Sequence, residues 1–263
     1  MSYYYNLKFV QSGDRLEVYH YSLAQEREFE GKNPKGRKGK AEGEKKMKNR
    51  REVLNRARNQ IIRLVNCNPE MNIFISLTYA ENMQDLEASK EHLHKALRQL
   101  QRDYPDFKYL YVLEYQERGA IHYHMLCNLP IAIKTAKTNW KKPQEQKDFE
   151  NYFREVYWPH GWVDVRNLNT EGNTNVGLYV SVYLVEDLYR LDLQGAKCYG
   201  YSRNLLRPME EVMMAQVDNE QFLKDFTPNY DVNYVSSYNM AKDYGDSLKF
   251  GTVNYFDMSR KGD

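Results

Sequence analysis

His122 and His124 stand one residue apart in GAIHYHMLC (residues 119–127), a stretch otherwise apolar enough to be a buried β-strand. Residues two apart on a strand project to the same face, so both imidazoles share a face with Leu126 while Ile121, Tyr123 and Met125 line the other. Two imidazoles so placed can chelate one metal. The preceding run YLYVLE ends in Glu114, and a turn across Glu117–Gly119 brings its carboxylate back toward the pair. Two histidines and one carboxylate leave coordination positions open, which a catalytic metal needs and a structural one lacks. The plainer reading makes the same residues ordinary polar groups of core or surface. HLH at His92–His94 lies in a predicted helix, where a two-residue step diverges, so that pair is read as non-ligating.

A second group is NVGLYVSVYLVEDLY, with Tyr179 and Tyr183 four residues apart. On a helix the two phenols lie one above the other and can reach one reactive centre. In a chain with 23 tyrosines that spacing alone is cheap, and core packing explains it equally well. Beside a metal site it means more. A metal that polarises a phosphodiester, an incoming phenolate and a basic surface together describe an enzyme that nicks DNA and becomes joined to it.

The elements that must position these residues read as an α+β chain. YYYNLKFVQSGDRLEVYHYS is a predicted β-hairpin on the edge of something larger, and GKNPKGRKGKAEGEKK a basic loop. Gly31 and Gly36 have the separation of a phosphate-binding loop, but Arg37 and Lys38 follow where that loop needs Lys and then Ser or Thr. No ATP site is expected. Val53, Ala57, Ile61, Leu64 and Val65 recur at helical spacing across 46–66, MNIFISLTYA is a strand, and 85–102 is a helix with Leu86, Leu93, Ala96, Leu97 and Leu100 inward. Two strands then flank the 117–119 turn. Residues 149–157 read as helix, GWVDVRNL as strand, 175–189 as helix, a last helix or loop follows Arg203, and the chain beyond Val217 reads as a loosely packed tail. An antiparallel sheet with helices on one face results.

Composition narrows the function. The net charge is +2, yet residues 32–63 hold 13 Lys or Arg against 3 Glu, so the charge is concentrated toward the N-terminal third. A polyanion partner fits that asymmetry, although such a run is also what a solvated face looks like. Cys67, Cys127 and Cys198 stand singly, which points away from a disulfide framework or zinc ribbon and toward a reducing compartment. With no apolar run of membrane-spanning length and no signal-peptide pattern, the expectation is a cytoplasmic protein of a bacterial host with no membrane contact.

FISLTYAEN, LEYQERGAIHYHMLCNLP and NVGLYVSVYLVED, in that order and at those intervals, resemble the three motifs of rolling-circle replication initiators of the HUH endonuclease superfamily. The likeness is closest to plasmid and phage initiators with two tyrosines in the third motif. It extends through WPHGWVDVRN and KCYGYSRNLLRP and so covers roughly residues 46–208. The resemblance implies a ferredoxin-like central antiparallel sheet flanked by helices, with the histidines on a central strand and the tyrosines on a facing helix. It implies His122, His124 and Glu114 as ligands of Mg²⁺ or Mn²⁺, and Tyr179 and Tyr183 as nucleophiles that open an origin strand. The product is a 5′-phosphotyrosyl link and a free 3′-hydroxyl. Partners on this reading are single-stranded origin DNA, held by Lys45, Lys46, Lys48, Arg50, Arg51, Arg58, Lys197 and Arg203, with a host helicase and polymerase. The expected organisation is an N-terminal hairpin and basic loop (1–45), an endonuclease domain (46–210) and a C-terminal extension (211–263).

One position departs from the family. It usually places Lys three residues after each tyrosine, where this chain has Val182 and Glu186. Loss of a charge-assisted contact to the phosphate costs roughly 1.5–3 kcal/mol, or about 10–150-fold in rate. Lys197 or Arg203 are candidates to replace it. The alternative is a non-catalytic or weakened origin-binding protein of the same fold. Ser76 and Thr78 alternate with Ile75 and Leu77 and suit a strand near the site, either as scaffold or as DNA contacts, while His160 between Pro159 and Gly161 reads as a turn residue.

Overall fold

The computed structural model describes residues 2–28, 44–116, 118–136, 141–169, 199–215, 228–243 and 247–261, with backbone alone for 2, 44–52 and 54. The chain divides into two compact units, Lys46–Leu206 and a second made of Met1–Lys45 with Arg207–Asp263. The fold is α+β, and among the described residues it comprises two five-stranded antiparallel sheets and three helices.

The Lys46–Leu206 unit carries the histidines. Its elements are α1 (Glu44–Cys67), β3 (Ile73–Tyr79), α2 (Leu86–Asp103), β4 (Tyr109–Tyr115), β5 (Ile121–Cys127), α3 (Gln144–Val156), β6 (Gly161–Asn167) and β7 (Tyr199–Tyr201), numbered after the two N-terminal strands β1 (Ser2–Ser12) and β2 (Arg15–Glu28). The sheet runs β6-β3-β5-β4-β7, consistent with a ferredoxin-like arrangement, and β5 lies at its centre. On α1, Ala57, Ile61, Leu64 and Val65 are buried, and on α2 Leu93, Ala96, Leu97 and Leu100, the faces that their spacing predicts. Asp85 caps α2, its carboxylate accepting from Glu87 N and Ala88 N at 3.0 and 3.1 Å. These helix residues join Ile75, Leu77, Tyr123, Met125, Phe153 and Trp158 in one core. Each large apolar side chain buried there contributes about 1.5–3 kcal/mol. Tyr123 Oη meets the buried Ser89 Oγ at 2.8 Å, so the face of β5 opposite the histidines is fastened to α2.

Two glycines set the geometry around the site. Gly119 takes φ +81° in the turn between β4 and β5, where Gln116 N donates to Ala120 O at 2.8 Å. Gly161 starts β6 against the backbone of β3: a Cβ there would overlap the Thr78 carbonyl oxygen and lie 2.5 Å from Ala80 N. The outer edge of β6 is covered by α3, because Gln146 Nε2 donates to Val165 O at 2.8 Å and Val165 N donates to Glu150 Oε1 at 3.0 Å. That satisfies backbone groups an open edge strand would expose.

The other unit is a sheet in the order β8-β1-β2-β10-β9, where β8 is Met209–Met213, β9 Tyr230–Asp243 and β10 Leu248–Arg260. The N-terminal hairpin does form, yet it sits inside this sheet with a strand on either side rather than on an edge. Leu7, Leu16, Val18, Phe256 and Met258 form its small core. Two further expectations are corrected here. Residues 209–213 are a strand, not a helix, and 230–260 form two long paired strands, not a loose tail. Both escape a hydropathy reading for the same reason. β8 and β9 are the edge strands, and Met209, Met213, Val232, Tyr234, Val235 and Tyr238 are exposed, so burial imposes no alternation on them.

Replacing Gly161 by Ala forces apart the β3 and β6 backbones, with no flexible side chain to give way. A loss of about 2 kcal/mol or more is expected, measured by urea denaturation followed by far-UV circular dichroism.

Candidate active site

Antiparallel pairing fixes what faces what. His122 is directly opposite Glu114 of β4 on one side and Thr78 of β3 on the other, and His124 is opposite Val112 and Ser76. Directly opposed residues share a face of the sheet, so Glu114, His122, His124, Ser76 and Thr78 gather on one side. The three residues expected to act together are therefore brought together, and Glu114 Oε2 lies 2.7 Å from His124 Nε2. Ser76 Oγ lies 3.0 Å from the other nitrogen, His124 Nδ1. With Nε2–H donating to the carboxylate, the Ser76 hydroxyl donates to Nδ1. Phe74 stacks on the His124 ring, centroids 5.7 Å apart and planes 12° apart, which fixes its plane.

His122 is held differently. Gln116 Nε2 lies 3.4 Å from its Nδ1, while its Nε2 is buried and has no hydrogen-bond partner. Burial pushes this imidazole below its ordinary pKa; the Glu114 carboxylate opposes the shift, and His124 and Arg118 add to it. The ring is neutral and keeps a lone pair for a ligand. Among the described residues, no three His, Cys, Asp or Glu side chains already stand in metal-ligating geometry. Glu114 and His124 face one another across a hydrogen bond instead.

The other expected residues are less informative. Tyr179, Tyr183 and Lys197 lie outside the described residues, as do Val182, Glu186 and the expected helix at 175–189. Lys45, Lys46, Lys48, Arg50 and Arg51 belong to α1, but their side chains also lie outside. Arg58 is exposed on α1, and Arg203 is exposed after β7, close enough to Tyr109 to oppose the upward pKa shift that burial gives that phenol. Arg118 and Gln116 beside His122 went unremarked in the sequence. Their signal is the tight turn itself, which keeps both next to the strand ends.

His92 and His160 form a separate pair. Their rings stack with centroids 3.8 Å apart and planes 13° apart, and Tyr79 Oη lies 3.3 Å from His92 Nδ1. His94 takes no part in this stack, so HLH acts as two unrelated residues, and His160 is both a turn residue and a packing partner.

Residues 72–188, a little under half of the chain, match the family model described as replication-associated protein ORF2. Over that stretch the chain is similar to this family. The matched segment runs from the start of the histidine-bearing sheet past both candidate tyrosines. Comparison with curated proteins and with solved structures gave no match. Among the described residues, no helix is long and apolar enough to cross a membrane.

The stacked pair gives a pH prediction. Burial pushes His160 below its ordinary pKa, and the neighbouring His92 and Lys95 push the same way. Between its folded value and about 6.5 the unfolded chain binds a proton that the folded ring declines. Stability therefore falls as pH drops through that window. In an NMR titration of the histidine rings, His160 titrates below the ordinary range, and Lys95→Ala moves it upward.

Proposed function

We propose that the Lys46–Leu206 unit is a metal-dependent, HUH-type single-strand DNA endonuclease and strand transferase that starts rolling-circle replication. The observation that carries this reading is the buried, unpartnered Nε2 of His122 beside the Glu114–His124 pair on one face of the central strand. A buried polar atom with no partner costs about 1–3 kcal/mol, which a ligand that engages it relieves. The similarity of residues 72–188 to replication-associated proteins supports the process.

The donor set fits Mg²⁺ or Mn²⁺. His122, His124 and Glu114 would hold the ion, which when bound polarises a phosphodiester oxygen. To ligate through Nε2, each imidazole carries its hydrogen on Nδ1. Ser76 Oγ accepts that hydrogen from His124, and Gln116 accepts the one from His122 after turning its amide oxygen inward. Such outer partners fix ring orientation and raise ligand basicity. The proton now shared between His124 and Glu114 is released on ligation, so binding weakens as pH falls.

The nucleophile on this reading is the phenolate of Tyr179 or Tyr183. Its oxygen attacks the scissile phosphorus, the bond from phosphorus to the 3′ oxygen breaks, and that oxygen takes up a proton to become a free 3′-hydroxyl. The 5′-phosphate stays esterified to tyrosine until a second transfer rejoins or cuts the strand. A host polymerase extends the 3′-hydroxyl, and a host helicase opens the duplex. Lys45, Lys46, Lys48, Arg50, Arg51, Arg58, Lys197 and Arg203 are the candidate backbone contacts, and they predict steep salt dependence rather than sequence selectivity.

Val182 and Glu186, where the resembling family has Lys, favour a second reading: an origin-binding protein of the same fold with little or no cleavage. Covalent adducts separate the two. With Mn²⁺ and labelled single-stranded oligonucleotides tiling the origin region of its own element, the enzyme gives a denaturation-resistant adduct. Tyr179→Phe or Tyr183→Phe removes or reduces it, and His122→Ala abolishes both the adduct and Mn²⁺ binding by calorimetry. Ser76→Ala lowers Mn²⁺ affinity by about 10–100-fold. Mn²⁺ and DNA binding without adducts supports the origin-binding reading, and absence of any Mn²⁺ binding overturns the metal assignment.

A further inference from the structure

The histidine face of the sheet continues past β3 to β6. Thr78 is directly opposite His122 on one side and Trp162 on the other, so Trp162 lies on the same face as the histidines. Strands are about 4.7–4.9 Å apart, which puts the Trp162 backbone about 10 Å from that of His122. Trp162 is 57 % exposed, whereas Trp158 is fully buried. It forms one wall of a cleft of about 330 Å³ that also includes Thr78, Asn151, Arg154 and Asp164.

The charges of this cleft are layered. Lys142, its side chain 5 % exposed, donates to Glu150 at 2.7 Å and Asp164 at 2.6 Å, and Arg166 Nε donates to Asp164 at 3.1 Å. Both carboxylates of the floor are thus compensated by cations. Arg154, with its side chain 41 % exposed, and the exposed Asn151 stand at the opening. An aromatic wall, an accessible guanidinium, an amide and a hydroxyl are the groups that hold a nucleotide: a ring to stack the base, a cation for its phosphate and polar atoms for its edge.

We propose that this cleft binds one nucleotide of a single strand, its base stacked on Trp162 and its phosphate contacted by Arg154, next to the phosphate held at the histidines. The inference rests on the endonuclease reading above and adds a positioning site for the substrate strand. Stacking on an aromatic ring is tolerant of base identity, so Trp162 fixes how far the strand is threaded, while sequence choice lies elsewhere. Continuity with the histidine face selects this occupant over a protein segment.

The test uses the full chain in a chelating buffer, where no cleavage occurs, and a fluorescein-labelled single-stranded oligothymidylate followed by anisotropy. A fully abasic oligonucleotide of the same length serves as the second probe. Trp162→Ala is expected to weaken oligothymidylate binding by about 5- to 150-fold and leave the abasic probe unaffected, while Trp162→Phe stays close to wild type. Arg154→Ala weakens both probes and lowers the salt slope by about one. Trp162→Leu, apolar but without a ring, replaces the alanine variant if the latter's melting curve shows unfolding. Equal affinity of the ring-deleted variant for oligothymidylate overturns the proposal, as does an equal loss on both probes. Wild-type protein that binds neither probe overturns the endonuclease reading itself, a distinct outcome.

Discussion

The pairing register of β5 is the constraint on which the site depends. His122 and His124 face Glu114 and Ser76 only because β5 is hydrogen-bonded in one register to β4 and in another to β3. A slip of one residue on either side would turn both imidazoles into the core and bring Tyr123 out. Tyr123 resists that slip, because it is fully buried, packs its ring against Trp158 and meets Ser89 at 2.8 Å. The apolar face of the strand thus holds the polar face in place. A residue with no chemical role in the site is what keeps its chemistry on the correct side.

The same division explains why the histidine site was legible from sequence. Alternation in IHYHMLC and FISLTY states which residues share a face, and the Gly119 turn between two apolar runs states that β4 and β5 are neighbours. Glu114 then falls opposite His122 by counting. What alternation does not state is which strand lies on the far side of β5. β3 and β6 come from distant parts of the chain, so Ser76 as a partner of His124 and Trp162 on the shared face emerged only from the pairing. The second sheet was harder to read. Its exposed edge strands carry tyrosine, asparagine and serine, and without burial on one face a strand has no period for the eye to find.

Polar groups on the histidine face are satisfied to different degrees. At β6 every charge has a counterpart: Lys142 spans Glu150 and Asp164, and Arg166 holds Asp164 from the other side. At β5 the pairing stops short, since His122 Nε2 is buried with nothing to bond. A fold that satisfies a buried lysine twice over has the means to satisfy one imidazole nitrogen. Leaving it unsatisfied costs stability, and such costs are tolerated where a ligand recovers them.

The absence of the family's lysines bears on where phosphate charge is met. At a tyrosine nucleophile, a cation steadies the phosphate and favours the phenolate, and Val182 and Glu186 offer neither effect. The described cations on this side of the molecule lie along the sheet instead: Arg118 is close enough to His122 to depress its pKa, and Arg154 borders the Trp162 cleft. Charge so placed acts on the strand before and after the reacting phosphate. It aligns the bond through neighbouring contacts, a role that geometry alone makes worth several kcal/mol. On that argument binding is kept strong while the phenolate is formed less readily, and the rate becomes more dependent on pH than in relatives with both lysines. The departure at Val182 and Glu186 is then a change in how the barrier is divided between positioning and nucleophile activation.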